Sequence, residues 1–235
     1  MTGADTPEAA DPESGQPWLE RPAVKVCGLT RPEDAQRAEA LGAAYLGVIL
    51  AGGPRLVTTA QAAKVLGPPR RGVRRVAVFG AQGADEVARV RDTLRLDVVQ
   101  LHGPATPETV AWLRAGGEAA AWPVVRVAGA ALPPEAVDLA AAAGVLVLDA
   151  LVPGQLGGTG VPLDWPALAA AVGALRSSVP GVQMVVAGGL RPGNVRAMCR
   201  VLLPEVVDVS SGVEVSPGIK DPARLAQFLS EARDP

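Results

Sequence analysis

A cysteine and an aspartate each end a short apolar run, where a base and an acid could act on one substrate. Cys27 ends VKVC, and Asp149 ends VLVLD. Lys25 lies on the same face of an extended chain as Cys27 and is expected to lower the pKa of the thiol from about 8.5. The apolar run before Asp149 is expected to raise the pKa of that carboxyl. The pair predicts proton transfer, with Cys27 as general base and Asp149 as general acid.

Two segments rich in glycine and serine predict a phosphate site in the last quarter of the chain. These segments, AGGL and SSG, contain Gly188, Gly189, Ser210, Ser211 and Gly212. Glycine has no Cβ, so backbone N–H groups in such loops can close on a phosphate. We therefore expect the partner to be a phosphorylated small molecule.

Other polar residues are candidates for contacts with the substrate. Arg55, in GGPRLV, could hold a carboxylate through two parallel N–H bonds, and His102, after DVVQL, is expected to line the pocket. Asp208 and Glu214 flank the SSG segment and are expected to have a supporting role. The segment GQLGGTG (154–160) is either an ordinary surface loop or a lid over the ligand.

Eight apolar runs alternate with segments rich in alanine, leucine, arginine and glutamate, which indicates repeated strand–helix units. The predicted strands are 23–27, 44–50, 74–79, 97–102, 122–127, 145–149, 182–187 and 205–210. Proline is expected in the first turn of four helices, at Pro32, Pro107, Pro166 and Pro222. This pattern predicts an α/β fold, a single (β/α)₈ TIM barrel, with an open doubly wound sheet as the alternative.

The barrel explains how the reactive groups could meet. Functional groups of such barrels gather at the carboxyl ends of the strands. Cys27 on the first strand and Asp149 on the sixth are three strands apart in a ring of eight, so they can face each other across the mouth. We expect one catalytic domain at 23–235, preceded by a flexible acidic tail at 1–22.

The composition restricts the class of partner. A net charge of −2 with mixed signs argues against nucleic acid. The longest apolar stretch, 139–148, is too short to cross a bilayer, and no export signal is evident, so we expect a cytoplasmic protein without a membrane partner. Two cysteines and one histidine cannot form a zinc site with four Cys/His ligands. The sequence leaves open whether the protein is a monomer or a homodimer.

Seven motifs, in order and spacing, resemble the phosphoribosylanthranilate isomerase family. They are VKVCGLT (24–30), GPRLV (53–57), VQLHG (99–103), VLDA (147–150), GGTG (157–160) with LDW (163–165), AGGLRPGNV (187–195) and VDVSSGVEVSPGIKD (207–221). The resemblance covers nearly everything after residue 22. The cysteine after VKV distinguishes this family from related barrels with aspartate in that place.

The resemblance implies a reaction of tryptophan biosynthesis, the Amadori rearrangement of N-(5′-phosphoribosyl)anthranilate to 1-(2-carboxyphenylamino)-1-deoxyribulose 5-phosphate. It implies that Asp149 protonates the ribose ring oxygen and that Cys27, as a thiolate, removes the C2′ proton. Arg55 would hold the anthranilate carboxylate, and the two glycine-rich loops would hold the phosphate. The resemblance implies no metal and no other cofactor.

The residues also allow two other functions. A related barrel isomerase of histidine biosynthesis performs the same rearrangement on a substrate with two phosphates, but it calls for a second phosphate site and usually an aspartate at position 27. A catalytically silent barrel that binds a phosphorylated metabolite would not require Cys27 and Asp149 together. Taken singly, Cys27 could also be a small buried apolar residue and Asp149 a residue that caps a loop.

Overall fold

The structure, a computed structural model, describes residues 21–150 and 163–234. The first twenty residues of the expected tail lie outside these ranges, and so does the candidate lid at 154–160. None of the described helices is long and apolar enough to cross a membrane.

Eight parallel strands form a closed barrel in sequential order. The strands are β1 (Ala23–Val26), β2 (Tyr45–Ile49), β3 (Arg74–Phe79), β4 (Val98–Leu101), β5 (Ala120–Val127), β6 (Val145–Ala150), β7 (Gln183–Val186) and β8 (Val206–Val209). The last strand pairs with the first over four residues, so the ring closes. The predicted barrel is therefore confirmed, and an open sheet is excluded.

A helix follows each of these strands along the chain. The helices are α1 (Pro32–Ala40), α2 (Thr59–Leu66), α3 (Ala84–Leu94), α4 (Pro107–Ala115), α5 (Ala136–Ala143), α6 (Trp165–Ser178), α7 (Val195–Leu202) and α8 (Pro222–Arg233). All four prolines predicted in first turns are found there, where the missing N–H removes no helical hydrogen bond. Side chains cap several of these helices, as Thr106 does for α4 and Asp221 for α8.

The strands have continuously apolar sequences because they are buried on both faces. Val26, Leu46 and Leu146, for example, have no exposed surface. Burial of a side chain of this size stabilises the fold by about 1.5–3 kcal/mol. β5 begins at Ala120, two residues before the predicted start, because its pairing with β4 extends to two alanines that have little strand preference of their own.

The hydrogen-bonded ladder reaches slightly beyond the ends of several strands, β1 and β4 among them, and fixes the residues that follow. The backbone N–H of Cys27 donates to the oxygen of Val209 over 2.8 Å, and that of His102 donates to the oxygen of Phe79 over 2.8 Å. Cys27 and His102 are therefore held as firmly as strand residues, at the barrel end where functional groups are expected.

A short hairpin follows the barrel strands. After a 3₁₀ turn (Ser211–Val213), β9 (Glu214–Ser216) pairs antiparallel with β10 (Ile219–Lys220), and α8 begins directly afterwards. The sequence analysis did not predict this hairpin. It brings Glu214 and Lys220 close to the carboxyl ends of the strands.

Candidate active site

A cavity opens at the carboxyl ends of the barrel strands, where the sequence predicted the reactive groups. Its wall includes nine of the eleven residues that the sequence analysis singled out, all but Gly212 and Glu214: Cys27, Arg55, His102, Asp149, Gly188, Gly189, Asp208, Ser210 and Ser211. The cysteine and the aspartate expected to exchange protons with a substrate therefore share one cavity.

Gly212 does not line the cavity but lets the loops after β7 and β8 approach each other. A Cβ at this position would clash with the oxygen of Leu190 and would lie 2.9 Å from Cα of Arg191. Gly188 allows a similar approach to β6, because its φ is +84° and an added Cβ would lie 2.8 Å from N of Ala150. Only glycine satisfies both positions without strain.

Cys27 lies beside a buried ion pair. Lys25, two residues earlier, donates from Nζ to Oδ2 of Asp208 over 2.6 Å. The pairing of β1 with β8 sets this contact, since Lys25 and Asp208 are partners in the ladder. Gly47 on β2 leaves room for both side chains: an added Cβ there would lie 3.1 Å from Sγ of Cys27 and 3.3 Å from Cε of Lys25.

Burial raises the pKa of the Cys27 thiol above its ordinary value, because a thiolate in the cavity wall loses its solvation. Lys25 lowers this pKa, as the sequence suggested, but the burial and the negative charge of Asp208 outweigh it. The predicted net decrease is therefore wrong. For Lys25 itself, burial lowers the pKa, while Asp208 and Cys27 raise it and prevail, so the ammonium stays charged.

Asp149 lies within β6, with its carboxyl group in the cavity wall. Burial, followed by the charge of Asp208, raises the pKa of Asp149 to about 6, although a backbone hydrogen bond from Ala150 to Oδ1 (2.9 Å) acts against this increase. The direction is the one predicted from the apolar run. At pH 7, about one molecule in ten then holds this proton in the folded protein.

His102 contributes a neutral imidazole next to this carboxyl. Its Nε2 lies 3.5 Å from Oδ2 of Asp149. Burial, and then the positive charges of Arg126 and Lys25, lower the pKa of His102 to about 4, so this contact is not an ion pair at neutral pH. Within residues 21–150 and 163–234, Nε2 has no hydrogen-bond partner.

Arg55 is held by a carboxylate from the hairpin near the end of the chain. Its Nε donates to Oε1 and Oε2 of Glu214 over 2.9 and 3.0 Å, and its Nη2 donates to Oε2 over 2.7 Å. Lys220 donates from Nζ to Oε1 of Glu214 over 2.7 Å. Burial raises the pKa of Glu214, but these two cations outweigh it and lower the pKa. Arg55 is thus an oriented group in the wall and not a solvated surface charge.

The loops after β7 and β8 form the wall that the sequence predicted for a phosphate. Asn194 shapes the first loop: its Nδ2 donates to the oxygen of Gly189 over 2.9 Å, and its Oδ1 accepts from N of Arg191 over 2.8 Å. In the second loop, Oγ of Ser210 is buried and lacks a hydrogen-bond partner in the described part of the chain. A hydroxyl in that state is available to an anionic ligand.

Sequence reasoning missed Gln100 and Lys220. Gln100 lines the cavity, and its Oε1 is buried without a partner among the described residues. A polar residue two positions before His102 in an apolar strand was a usable signal, because alternate strand residues share a face. No local signal marked Lys220. The described ranges contain no group of three or more His, Cys, Asp or Glu side chains placed to hold a metal ion.

Comparisons with known proteins agree with this architecture. A family model described as N-(5′-phosphoribosyl)anthranilate (PRA) isomerase matches residues 24–231. A relative from Ralstonia nicotianae, named N-(5′-phosphoribosyl)anthranilate isomerase, is 38% identical over 229 residues, covering 92% of this chain and 94% of the relative.

Solved structures extend the comparison to the fold. The crystal structure of phosphoribosyl anthranilate isomerase from Thermus thermophilus has a TM-score of 0.74 and 33% identity, covering 89% of this chain and 97% of that one. Another isomerase structure, in complex with reduced 1-(o-carboxyphenylamino)-1-deoxyribulose 5-phosphate, has a TM-score of 0.73 and 27% identity, covering 91% and 100%. Because the family model and this relative cover nearly the whole barrel, the chain belongs to the N-(5′-phosphoribosyl)anthranilate isomerase family.

Proposed function

We propose that the cavity catalyses the Amadori rearrangement of N-(5′-phosphoribosyl)anthranilate to 1-(2-carboxyphenylamino)-1-deoxyribulose 5-phosphate in tryptophan biosynthesis, with Asp149 as general acid and Cys27 as general base. One observation carries the proposal: a carboxyl group with a raised pKa and a thiol beside a buried lysine line the same cavity. A chain that only bound a phosphorylated metabolite would not need this pair.

Asp149 begins the reaction by giving its proton to the ribose ring oxygen. The bond between C1′ and that oxygen then breaks, and the nitrogen lone pair forms a Schiff base with C1′. The raised pKa suits this step, because an acid works best when its pKa lies near the working pH. Nε2 of His102 lies 3.5 Å from Oδ2 of Asp149. Because His102 is neutral, it adds no positive charge that would favour loss of the proton from this carboxyl group.

Cys27 acts in the second step as a thiolate. It removes the C2′ proton, and the electrons of the C–H bond move towards the Schiff-base nitrogen to give an enolamine. The enol hydroxyl then loses its proton while C1′ gains one, which gives the ketone. Lys25 favours the thiolate, because its ammonium group attracts the charge that forms on sulfur.

The two ends of the substrate are held by different walls. Arg55 would bind the anthranilate carboxylate, and the loops containing Gly188, Gly189, Ser210 and Ser211 would bind the phosphate. His102 and Asp208 would contact the ribose part between them. Gly212 would act indirectly, by letting the phosphate loops meet. Anchoring both ends orients the reacting carbons, which can be worth several orders of magnitude in rate.

Residues 23–235 would form the catalytic unit of a cytoplasmic monomer or homodimer that needs neither a metal nor another cofactor. A chain shortened to begin at Arg21 should then keep its kcat/KM within about twofold, because every residue proposed here for catalysis or binding lies after position 22. A larger loss would mean that residues 1–20 take part in the reaction.

The test follows anthranilate-type fluorescence while purified protein meets freshly made phosphoribosylanthranilate. The expected result is a fluorescence decay much faster than spontaneous hydrolysis. Cys27→Ala should remove turnover and keep ligand binding, whereas Cys199→Ala, in α7 outside the cavity wall, serves as the matched control. No decay above hydrolysis for the unaltered protein would refute the proposed function, and unchanged turnover in Cys27→Ala would refute the role of that thiol.

A further inference from the structure

Glu214, near the far end of the chain, binds Arg55, the residue proposed to hold the anthranilate carboxylate. It binds Arg55 by three contacts of 2.7–3.0 Å, although 159 positions separate the two residues. Both side chains are nearly buried, at 10% exposed for Arg55 and 4% for Glu214. A buried bidentate pair of this kind has one orientation, so Glu214 determines where the guanidinium points.

Lys220 holds Glu214 from the opposite side. Its Nζ donates to Oε1 of Glu214, to the oxygen of Cys27 (2.6 Å) and to the oxygen of Ser210 (3.2 Å). The ammonium group has no exposed surface. It therefore ties Glu214 to the strand that carries the thiol and to the loop that would bind phosphate.

Glu214 accepts hydrogen bonds from one edge of the Arg55 guanidinium. Glu214 takes the edge formed by Nε and Nη2, and Nη1 lies outside this contact. The stem of Arg55 crosses Gly28, where an added Cβ would lie 2.6 Å from Cδ of the arginine. The stem and one edge are thus fixed, while the residue still lines the cavity.

The charges of the three groups favour one further anion. With both cations protonated, Arg55 and Lys220 contribute +1 each and Glu214, whose pKa is lowered, contributes −1, which leaves a net charge of +1 for the three groups; burial lowers the pKa of Lys220, and the charge of Glu214 acts against that decrease. An Arg–Glu pair alone would be neutral and would attract a carboxylate weakly. Lys220 restores the positive charge that Glu214 would otherwise cancel.

We propose that Glu214, supported by Lys220, is a positioning residue that makes the site selective for a ligand with an aromatic carboxylate. This inference rests on the proposed function, because it assumes that Arg55 receives the anthranilate carboxylate. Without Glu214, the guanidinium of Arg55 would have to lose side-chain freedom on each binding event. Glu214 removes that cost in advance.

The test compares two stable probes on the full-length Glu214→Gln protein. The first is reduced 1-(o-carboxyphenylamino)-1-deoxyribulose 5-phosphate, and the second is the same compound without the ring carboxylate. Calorimetry should show about a 10- to 100-fold weaker affinity for the first probe, the value of one charge-assisted hydrogen bond, and a change of less than about twofold for the second. KM for phosphoribosylanthranilate should rise more than kcat falls.

Two controls separate positioning from a general structural effect. Glu118→Gln, on the exposed surface, should leave both affinities unchanged. Arg55→Met should remove the preference for the carboxylated probe, and adding Glu214→Gln to it should change nothing further. If Glu214→Gln does not fold, Glu214→Asp shortens the carboxylate by one methylene and should show the same selective loss, only smaller.

Equal weakening of both probes would overturn the inference, because Glu214 would then merely stabilise the hairpin. No change for either probe would overturn it as well. The proposed function is tested separately, by turnover of the unaltered protein, so a failure of one does not hide a failure of the other.

Discussion

Replacing Asp149 by asparagine should stabilise the protein at neutral pH while removing its turnover. In the folded chain, burial and the charge of Asp208 raise the pKa of Asp149 from 3.8 to about 6. In the unfolded chain the carboxyl group is solvated and keeps its ordinary value. The folded protein therefore holds this proton more tightly than the unfolded protein does.

The sign and size of the effect follow from that difference. The free energy of unfolding falls as pH rises from about 4 to about 6, because the folded state must then either keep the proton or bury a charge. The shift of about 2 pKa units corresponds to about 3 kcal/mol, fully lost above the folded pKa of Asp149. Asparagine is neutral at every pH and avoids this loss.

The assay is urea unfolding of the unaltered protein and Asp149→Asn. Near pH 7.5 the variant should be more stable by up to about 3 kcal/mol, and near pH 4 the two should agree within about 1 kcal/mol. In the same samples, kcat should fall by about 10²- to 10⁴-fold. Asp138→Asn, on the exposed side of α5, is the matched control and should show no pH-dependent difference. A variant that is equally stable or less stable at neutral pH would refute the reasoning.

Three further predictions concern the same cavity. The profile of kcat/KM should rise with pH up to about 6, because the fraction of Cys27 thiolate grows while Asp149 keeps its proton. It should then stay level and fall only above the raised pKa of Cys27, because the fraction of protonated Asp149 continues to decrease; an optimum below pH 6 would contradict the assigned roles. Lys25→Met should cost about 3–5 kcal/mol in urea unfolding because it leaves Asp208 buried without its partner, and adding Asp208→Asn should recover part of that loss. Strict additivity of the two losses would argue against a buried pair. Gly188→Ala should lower Tm and weaken binding of inorganic phosphate, since its φ of +84° disfavours a Cβ by about 1 kcal/mol or more. An unchanged Tm would contradict the close approach to β6.

The strand count and the meeting of Cys27 with Asp149 could be predicted because both depend on local patterns. Continuous apolar runs locate the strands, and the sequential order of a barrel then places its first and sixth strands on opposite walls. Alternation along the strand also put Lys25 on the same face as Cys27. These steps need no knowledge of distant contacts.

The contacts of Arg55 and the direction of the thiol pKa could not be predicted in this way. Glu214 lies 159 positions from Arg55, and the hairpin that presents it has only short strands of three and two residues. For Cys27, the sequence shows the neighbouring cation but not the depth of burial, and burial has the larger effect on the pKa. Long-range charge pairing and desolvation both depend on the completed fold.

The closure of β1 against β8 has a consequence for how the protein is made. Three buried contacts join the first quarter of the chain to its last eighth: Lys25 with Asp208, Arg55 with Glu214, and Lys220 with the oxygen of Cys27. While a ribosome is still translating β7, the nascent chain has an unpaired strand at each edge and no complete catalytic centre. Activity therefore requires the chain to have left the exit tunnel at least as far as Lys220, and products that terminate before β8 are expected to be inert and prone to edge-to-edge association.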